Sequence, residues 1–350
     1  MGNKWLGLFP EARKNNVNYF LDGDGYFKEL VTAIESTKSG ADYIYIAGWM
    51  IDIEFELIDG NKETTLSSLL GRASKRGVEI RILIWDTIIP EYAVTLESAI
   101  KILTPMDKLK IFSDRYTFTP TASRSFVNKG IEPIIEFVEK IDRFLGKISS
   151  LGFASRDYNK IEMAGILGLL HNKLKEIKRV GSVGAHHEKV VIVRIEKGLI
   201  GFCGGTDLNK NRVYSTYGKQ KIRSASLHDS ACKIIGPAAH EILLRFVRRW
   251  ANHNEANAFP LIGATEKPSK EIDSDFHYAK AVGTFNGFNG PGKEDRSFRE
   301  SFYKIIENAS NYIYTLMSNS GCNLPVESLI CSSMYFAPVF LSNLSVAPRL

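Results

Sequence analysis

A histidine and a lysine two positions apart, His187 and Lys189, are the residues whose types and spacing point most directly to chemistry in this sequence. They precede residues 190–193, a β-branched run that predicts a strand. Side chains two positions apart on a strand lie on the same face. A lysine placed there could neutralise phosphate oxygens as they gain charge, while the histidine attacks the phosphorus. The pair therefore predicts phosphoryl-transfer chemistry.

Two glycines, Gly204 and Gly205, come shortly after this pair. Between the pair and the glycines lie the predicted strand, a turn at residues 196–198 and a returning strand. The segment therefore predicts a hairpin that opens into a loop at the glycines. Glycines lack a Cβ, which lets backbone N–H groups come close to a ligand. The hairpin and its glycines therefore predict a phosphate-sized site at one end of the two strands.

Other interpretations of these residues are possible. His187 and Lys189 could lie exposed on an edge strand without any function. A metal site at residues 186–188 is not expected, because neighbours on a strand diverge and the HExxH spacing is absent. The four cysteines are widely spaced and predict buried thiols, with neither a zinc site nor a disulfide framework; they are Cys203, Cys232, Cys322 and Cys331. We expect no metal and no cofactor.

The elements that must position the pair alternate between helix and strand. Apolar spacing predicts helices at residues 26–36 and 66–75, each followed by a buried strand, at 43–49 and 78–85. This alternation predicts an α/β fold, a mixed sheet flanked by helices. Amphipathic spacing also predicts a helical insertion at residues 130–180, which either covers the sheet or acts as a lid or lipid-contacting element.

Changes in composition predict the domain organisation. A helix at residues 238–250 ends a first unit, 1–253, and a glycine- and proline-rich linker, 254–295, holds one extended segment at 277–282. Residues 296–350 then begin a faint repeat, because Tyr312-Ile313-Tyr314 matches Tyr43-Ile44-Tyr45 behind a similar helix. We expect an incomplete second unit there.

The overall composition is globular and slightly basic. The 350 residues are 44% hydrophobic and 24% charged, and the net charge of +6 favours anionic partners without selecting one. The sequence contains neither a signal-like apolar segment near its start nor a run of roughly 18 apolar residues. We therefore expect a cytoplasmic or peripheral membrane protein.

His187-x-Lys189 followed by Gly204-Gly205 is similar to the HxKxxxxD…GG signature of the phospholipase D superfamily. The resemblance covers residues 20–253 well and 294–316 loosely. It is supported by several further segments in the same order: Gly48-Trp49, Arg76-Gly77-Val78, Leu227-His228-Asp229, Gly236-Pro237 and Arg249-Trp250. The resemblance implies a phospholipase D-like sandwich fold.

The resemblance also implies a mechanism and roles. Two motifs share one active site in this family, where one histidine forms a phosphohistidine and the other protonates the leaving alcohol, without a metal. Carried over, His187 is the nucleophile, Lys189 is the phosphate ligand and Asp207 lies beside them near the carboxyl ends of the strands. Substrate would be bound by Gly204, Gly205 and His228. Trp49 and Trp85 stand at strand ends, where core packing is favoured over substrate stacking.

Two departures from the family pattern leave alternatives open. Arg194 stands where the motif has its Asp. Its strand parity is opposite to that of His187, so we expect it to face away from the pair and to support the hairpin. Glu196 shares this parity and could supply the missing carboxylate. No second HxK follows Lys189, so a homodimer or a complementing partner would have to supply the other histidine. The resemblance favours phospholipids as substrates, with nucleic acid less favoured. The alternatives are a truncated or degenerate relative that binds phosphate-bearing ligands without turnover, and a nuclease-type phosphodiesterase.

Overall fold

The computed structural model describes residues 4–86, 90–114, 187–212, 229–253, 255–285, 295–308 and 339–341. The predicted insertion at 130–180 and the repeated Tyr312-Ile313-Tyr314 lie outside these residues, and so does His228. The described ranges contain the predicted catalytic residues and the strands around them.

The described strands form one mixed sheet. They are β1 (Arg13–Leu21), β2 (Tyr43–Gly48), β3 (Glu79–Trp85), β4 (Leu109–Asp114), β5 (Val190–Ile195), β6 (Gly198–Gly204), β7 (Ser230–Ile235), β8 (His277–Lys280) and β9 (Val339–Leu341). The order across the sheet is β4-β3-β2-β5-β6-β7-β1-β8-β9. β2, β3 and β4 are parallel, and the remaining pairs are antiparallel. The predictions of a mixed sheet and of β2, β3 and β5 within it are confirmed.

Helices cover both faces of this sheet. The described helices are α1 (Lys4–Leu8), α2 (Gly23–Glu35), α3 (Leu66–Lys75), α4 (Pro90–Leu103), α5 (Pro237–Ala251) and α6 (Ser297–Asn308). α2, α3 and α4 pack on the face to which Ile44 and Ile46 point. α5 packs on the other face, where the Tyr45 ring stacks on Phe246 with centroids 4.9 Å apart. Because both faces are buried, the central strands read as continuous apolar runs.

Helix α3 shows how local sequence sets an element's limits. The Thr65 side chain accepts a hydrogen bond from the Ser68 N–H at 3.3 Å and caps the first turn. Gly77, just beyond the last turn, has φ +86°, a left-handed conformation that favours glycine. The helix spans Leu66–Lys75, as its apolar spacing predicts.

The segment predicted as a linker packs against the sheet along residues 255–285. Its strand β8 pairs with β1, at the position where an extended segment is predicted. The Trp250 indole donates a hydrogen bond to the Phe259 carbonyl at 3.0 Å, and the Gly263 N–H donates one to the Tyr45 hydroxyl at 2.9 Å. These contacts tie the segment to α5 and β2. The domain boundaries at 253 and 295 remain a prediction.

The sheet register places the predicted chemistry at one edge. β5 runs antiparallel to β2 and to β6, with Val190 opposite Ala47 and Cys203. His187 and Lys189 therefore lie before the amino end of β5, beside the carboxyl ends of β2 and β6. Our expectation that the site lies at the carboxyl ends of all the predicted strands is wrong for β5, because that strand runs against β2.

Candidate active site

His187 and Lys189 contact each other directly. The Lys189 Nζ lies 3.1 Å from His187 Nε2 and 3.4 Å from the His187 carbonyl oxygen, so both side chains lie on one face, as alternation predicts. Only 6% of the Lys189 side chain is exposed. Burial lowers the pKa of Lys189 below its ordinary value, and the neighbouring Asp207 carboxylate opposes this shift. The ammonium is thus held against the imidazole in a largely dry site.

Asp207 completes this arrangement from the loop after β6. Its Oδ1 lies 3.5 Å from Lys189 Nζ, and its side chain is fully buried. Burial raises the pKa of Asp207, because the ionised carboxylate loses water; the nearby Lys189 and Arg212 cations act in the opposite direction. The structure therefore brings together the three residues for which we predict catalytic roles.

Gly204 and Gly205 lie at the end of β6 and let β7 approach closely. Gly204 has φ +155°, and a Cβ there would collide with the Ser230 carbonyl. A Cβ on Gly205 would collide with the Asp229 carboxylate. The glycines thus leave room for the start of β7, and they place the Asp229 carboxylate close to the loop that carries Asp207.

Arg212 is a residue of this cluster that our sequence analysis missed. It ends a short 3₁₀ helix, Lys210–Arg212, in the loop after Asp207. Its guanidinium NH2 lies 3.1 Å from Asp207 Oδ2, and its Nε lies 3.6 Å from Asp229 Oδ2. A basic residue five positions after Asp207 was the available sequence signal, but loop spacing alone does not predict which groups meet.

Trp49 forms an aromatic wall beside the pair. Its ring centroid lies 4.9 Å from that of His187 in an edge arrangement, and Lys189 Nζ lies 5.3 Å from the Trp49 ring centroid. Trp85 stacks behind Trp49, with centroids 5.9 Å apart. The expectation of core packing fits Trp85, which is 8% exposed. It is incomplete for Trp49, which also contacts both residues of the motif.

The residue between the pair points to the opposite face. Glu188 Oε1 lies 3.1 Å from Arg249 Nε, near the end of α5, and Arg249 NH1 lies 3.6 Å from Asp114 at the end of β4. Glu188 and Arg249 are both buried. This ion pair anchors the segment that carries His187 and Lys189.

The other end of the β5–β6 hairpin differs from our expectation. Arg194 faces away from the pair, as predicted, and its Nε lies 3.1 Å from the Glu266 carboxylate. Glu196 lies in the exposed turn, where its carboxylate pairs with Lys38 at 2.9 Å. The expectation that Glu196 supplies the missing motif carboxylate is therefore wrong. The carboxylate that the structure places against Arg194 is Glu266.

Two structural findings bear on ligands and membranes. In the described ranges, no group of three or more His, Cys, Asp or Glu side chains is arranged to hold a metal ion. None of the described helices combines the length and apolar character that crossing a bilayer requires.

Comparisons with known proteins agree with the motif. No family model matches the chain. Phospholipase D A of Dictyostelium discoideum is 22% identical over 347 residues, which cover 88% of this chain and 22% of that protein. Phospholipase D beta 1 of Arabidopsis thaliana is 25% identical over 275 residues, or 70% of this chain and 21% of that protein. The chain thus spans about a fifth of the length of these relatives.

The solved structure of the phospholipase D family member Nuc from Salmonella typhimurium matches this chain at 13% sequence identity, with a TM-score of 0.34. The match covers 68% of this chain and 95% of that one. The conclusion about the family rests on the sequence relatives and on the order of the motif residues. These relatives and the order of the motif residues support membership of the phospholipase D superfamily.

Proposed function

We propose that this chain is a phospholipase D-type phosphodiesterase that acts on phospholipids through a phosphohistidine at His187. The observation that carries the proposal is the convergence of His187, Lys189 and Asp207 at one end of the β5–β6 hairpin. The relatives that match this chain are named phospholipases D, which favours phospholipids over nucleic acid. A phospholipid substrate would bring the protein to a membrane surface.

The contact between His187 and Lys189 suggests how substrate binding prepares the nucleophile. Without substrate, the ammonium can donate to His187 Nε2 and occupy the lone pair that must attack. A phosphodiester oxygen that accepts this N–H instead would free Nε2 and place the phosphorus beside it. Nε2 then bonds to phosphorus as the bond to the leaving alcohol breaks, and water later releases the phosphoryl group.

The leaving alkoxide needs a proton, and general acid catalysis typically contributes roughly a hundredfold to ten-thousandfold in rate. No HxK follows Lys189 in the sequence. We propose that a second copy of the chain or a complementing partner supplies the acid. His171-Asn172-Lys173 has the same spacing upstream of His187 and lies outside the described residues.

A second candidate function is binding of phosphate-bearing ligands without turnover. The observation that favours it is Arg194, which replaces the motif's Asp and is paired with Glu266. Such a protein would retain the anion site at Lys189 but would lack a competent acid.

Hydrolysis of bis(p-nitrophenyl) phosphate and of phosphatidylcholine vesicles, measured over a range of protein concentrations, tests the proposal. His187→Ala should lower turnover at least about a hundredfold and abolish a phosphoryl mass increase on the peptide that contains it. The matched control is His277→Ala, because His277 of β8 pairs with Asn15, whereas the site lies near the other end of β1, where Leu21 pairs with Ser230. A rate per chain that rises with concentration supports assembly of two copies.

Other outcomes decide between the candidates. If His171→Ala also removes turnover, this chain supplies its own second histidine. Sulfate binding that requires Lys189, without any hydrolysis, favours the binding function. Turnover that is unchanged in His187→Ala contradicts the proposal, and hydrolysis of single-stranded DNA in preference to lipid would identify a nuclease.

A further inference from the structure

The site holds two carboxylates close to the place where an anionic substrate must bind. Asp207 is fully buried and Asp229 has 21% of its side chain exposed. A phosphodiester carries a negative charge, and like charges a few ångströms apart repel strongly where water is scarce. A site that contained these two acids and Lys189 alone would have a net negative charge.

Arg212 lies between the two acids. Its NH2 lies 3.1 Å from Asp207 Oδ2, while Lys189 occupies the other oxygen of that carboxylate at 3.5 Å. Its Nε lies 3.6 Å from Asp229 Oδ2. The Arg212 side chain is only 11% exposed. With Arg212 included, two cations face two carboxylates, so the site has no net negative charge where the phosphodiester must bind beside Lys189.

The main chain fixes Asp229 in this position. The Asp22 N–H donates to the Asp229 carbonyl at 2.7 Å, and the Asp229 N–H donates to Asp22 Oδ1 at 3.3 Å. The collision that a Cβ on Gly205 would make with this carboxylate shows that the loop after β6 packs directly against it. The second carboxylate is thus a built part of the site.

We propose that Arg212 is a positioning residue whose positive charge offsets one of the two negative charges of Asp207 and Asp229, so that the site is neutral and Lys189 can bind the phosphodiester. The inference rests on the proposed function, since it assumes an anionic ligand beside Lys189. It extends that function by assigning a role to a residue outside the HxK…GG motif.

The titratable groups around the cluster predict its pH dependence. Burial raises the pKa of both Asp207 and Asp229, with Arg212 and Lys189 opposing the shift for each. Asp22 faces Asp229, and Tyr26 of α2 faces Asp207. Without Arg212 the pKa values of both acids rise further. Acidification then protonates them, so the repulsion caused by losing Arg212 should disappear as the pH falls.

Calorimetric titration with inorganic sulfate tests the inference, at constant ionic strength maintained with chloride. Sulfate keeps its charge over the range used, about pH 5 to about pH 8. Arg212→Gln should bind sulfate roughly tenfold more weakly than wild type near pH 8, and this difference should shrink near pH 5.

Two further variants separate charge balance from folding. Asp229→Asn keeps the guanidinium and removes one acid, so it should bind sulfate more tightly than wild type. The double variant Arg212→Gln/Asp229→Asn removes one charge of each sign and should recover most of the wild-type affinity. Arg72→Gln is the matched control, because Arg72 also bridges two carboxylates, Glu35 and Glu63. Glu35 lies at the opposite end of α2, about 18 Å from Gly23.

Several results would overturn the inference. Arg212→Gln that binds sulfate as tightly as wild type near pH 8 and near pH 5 would overturn it. An equal loss of sulfate affinity at the two pH values would also overturn it. A double variant as weak as Arg212→Gln would show that the guanidinium itself binds the anion. Absence of sulfate binding by the wild-type chain would also overturn it, while diester turnover separately decides the proposed function.

Discussion

The two ends of the β5–β6 hairpin carry ion pairs of the same type in opposite surroundings. At the open end, Lys189 and Asp207 are 3.5 Å apart with 6% and 0% of their side chains exposed. At the turn, Lys38 and Glu196 are 2.9 Å apart with 72% and 77% exposed. The closer pair is the weaker one, because water screens it and competes for both groups. Burial of the charged groups, and not the distance between them, therefore decides how much each ion pair contributes to stability.

The largest effect is expected from Asp207→Asn at the open end. Asparagine has nearly the same shape, but it would leave the buried Lys189 and Arg212 without their shared carboxylate. Breaking a buried pair in this way should lower the free energy of unfolding by about 3 to 5 kcal/mol. Urea denaturation followed by circular dichroism measures this quantity.

The raised pKa of Asp207 gives this prediction a second check. Because the folded-state pKa is above the unfolded one, the folded protein holds the Asp207 proton more tightly, and this contribution to stability is lost as pH rises through the folded pKa. Asparagine at position 207 cannot titrate. The difference in unfolding free energy between Asp207→Asn and wild type should therefore change as the pH rises through the folded-state pKa of Asp207. A loss below about 1 kcal/mol at neutral pH would show that the two cations are not held by Asp207.

A smaller effect is expected from Arg194→Asp, which restores the residue of the family motif. Arg194 and Glu266 are 27% and 22% exposed, and the Tyr43 hydroxyl also donates to Glu266 at 3.1 Å. Aspartate there would face another carboxylate, so we expect a loss of about 1 to 2 kcal/mol in unfolding free energy. The charge swap Arg194→Asp/Glu266→Arg should recover part of it. A more stable Arg194→Asp protein would contradict this.

The sequence predicted the elements of the hairpin well. A β-branched run predicts β5, the turn at residues 196–198 leads into the returning strand β6, and Gly198 adopts φ +137° there. Alternation also predicted that His187 and Lys189 share a face while Arg194 points away. These successes depend on local rules, namely the strand period of two and the conformational freedom of glycine.

The sequence did not predict how distant charges pair. Parity assigns a face but not a position along the strand, and Glu196 is about 30 Å along an extended chain from His187. Arg212 was missed because its partners, Asp207 and Asp229, meet only when the loop after β6 folds against β7. Glu266 was missed as the partner of Arg194 for the same reason, since it comes from the segment predicted as a linker.

The smallest effect is expected from Glu196→Gln at the turn. The Lys38 ammonium lowers the pKa of Glu196 through a hydrogen bond and charge attraction, yet both side chains are open to water. Exposed pairs contribute little, because holding two long side chains together costs entropy and salt screens their attraction. We expect the unfolding midpoint in urea to stay within experimental error of the wild-type value, both in low salt and in about 0.5 M sodium chloride. A salt-dependent loss comparable to that of Asp207→Asn would show that the turn pair is shielded from water, and the contrast between the two hairpin ends would then be wrong. Sulfate affinity should also be unchanged, because Glu196 lies at the end of the hairpin remote from Lys189.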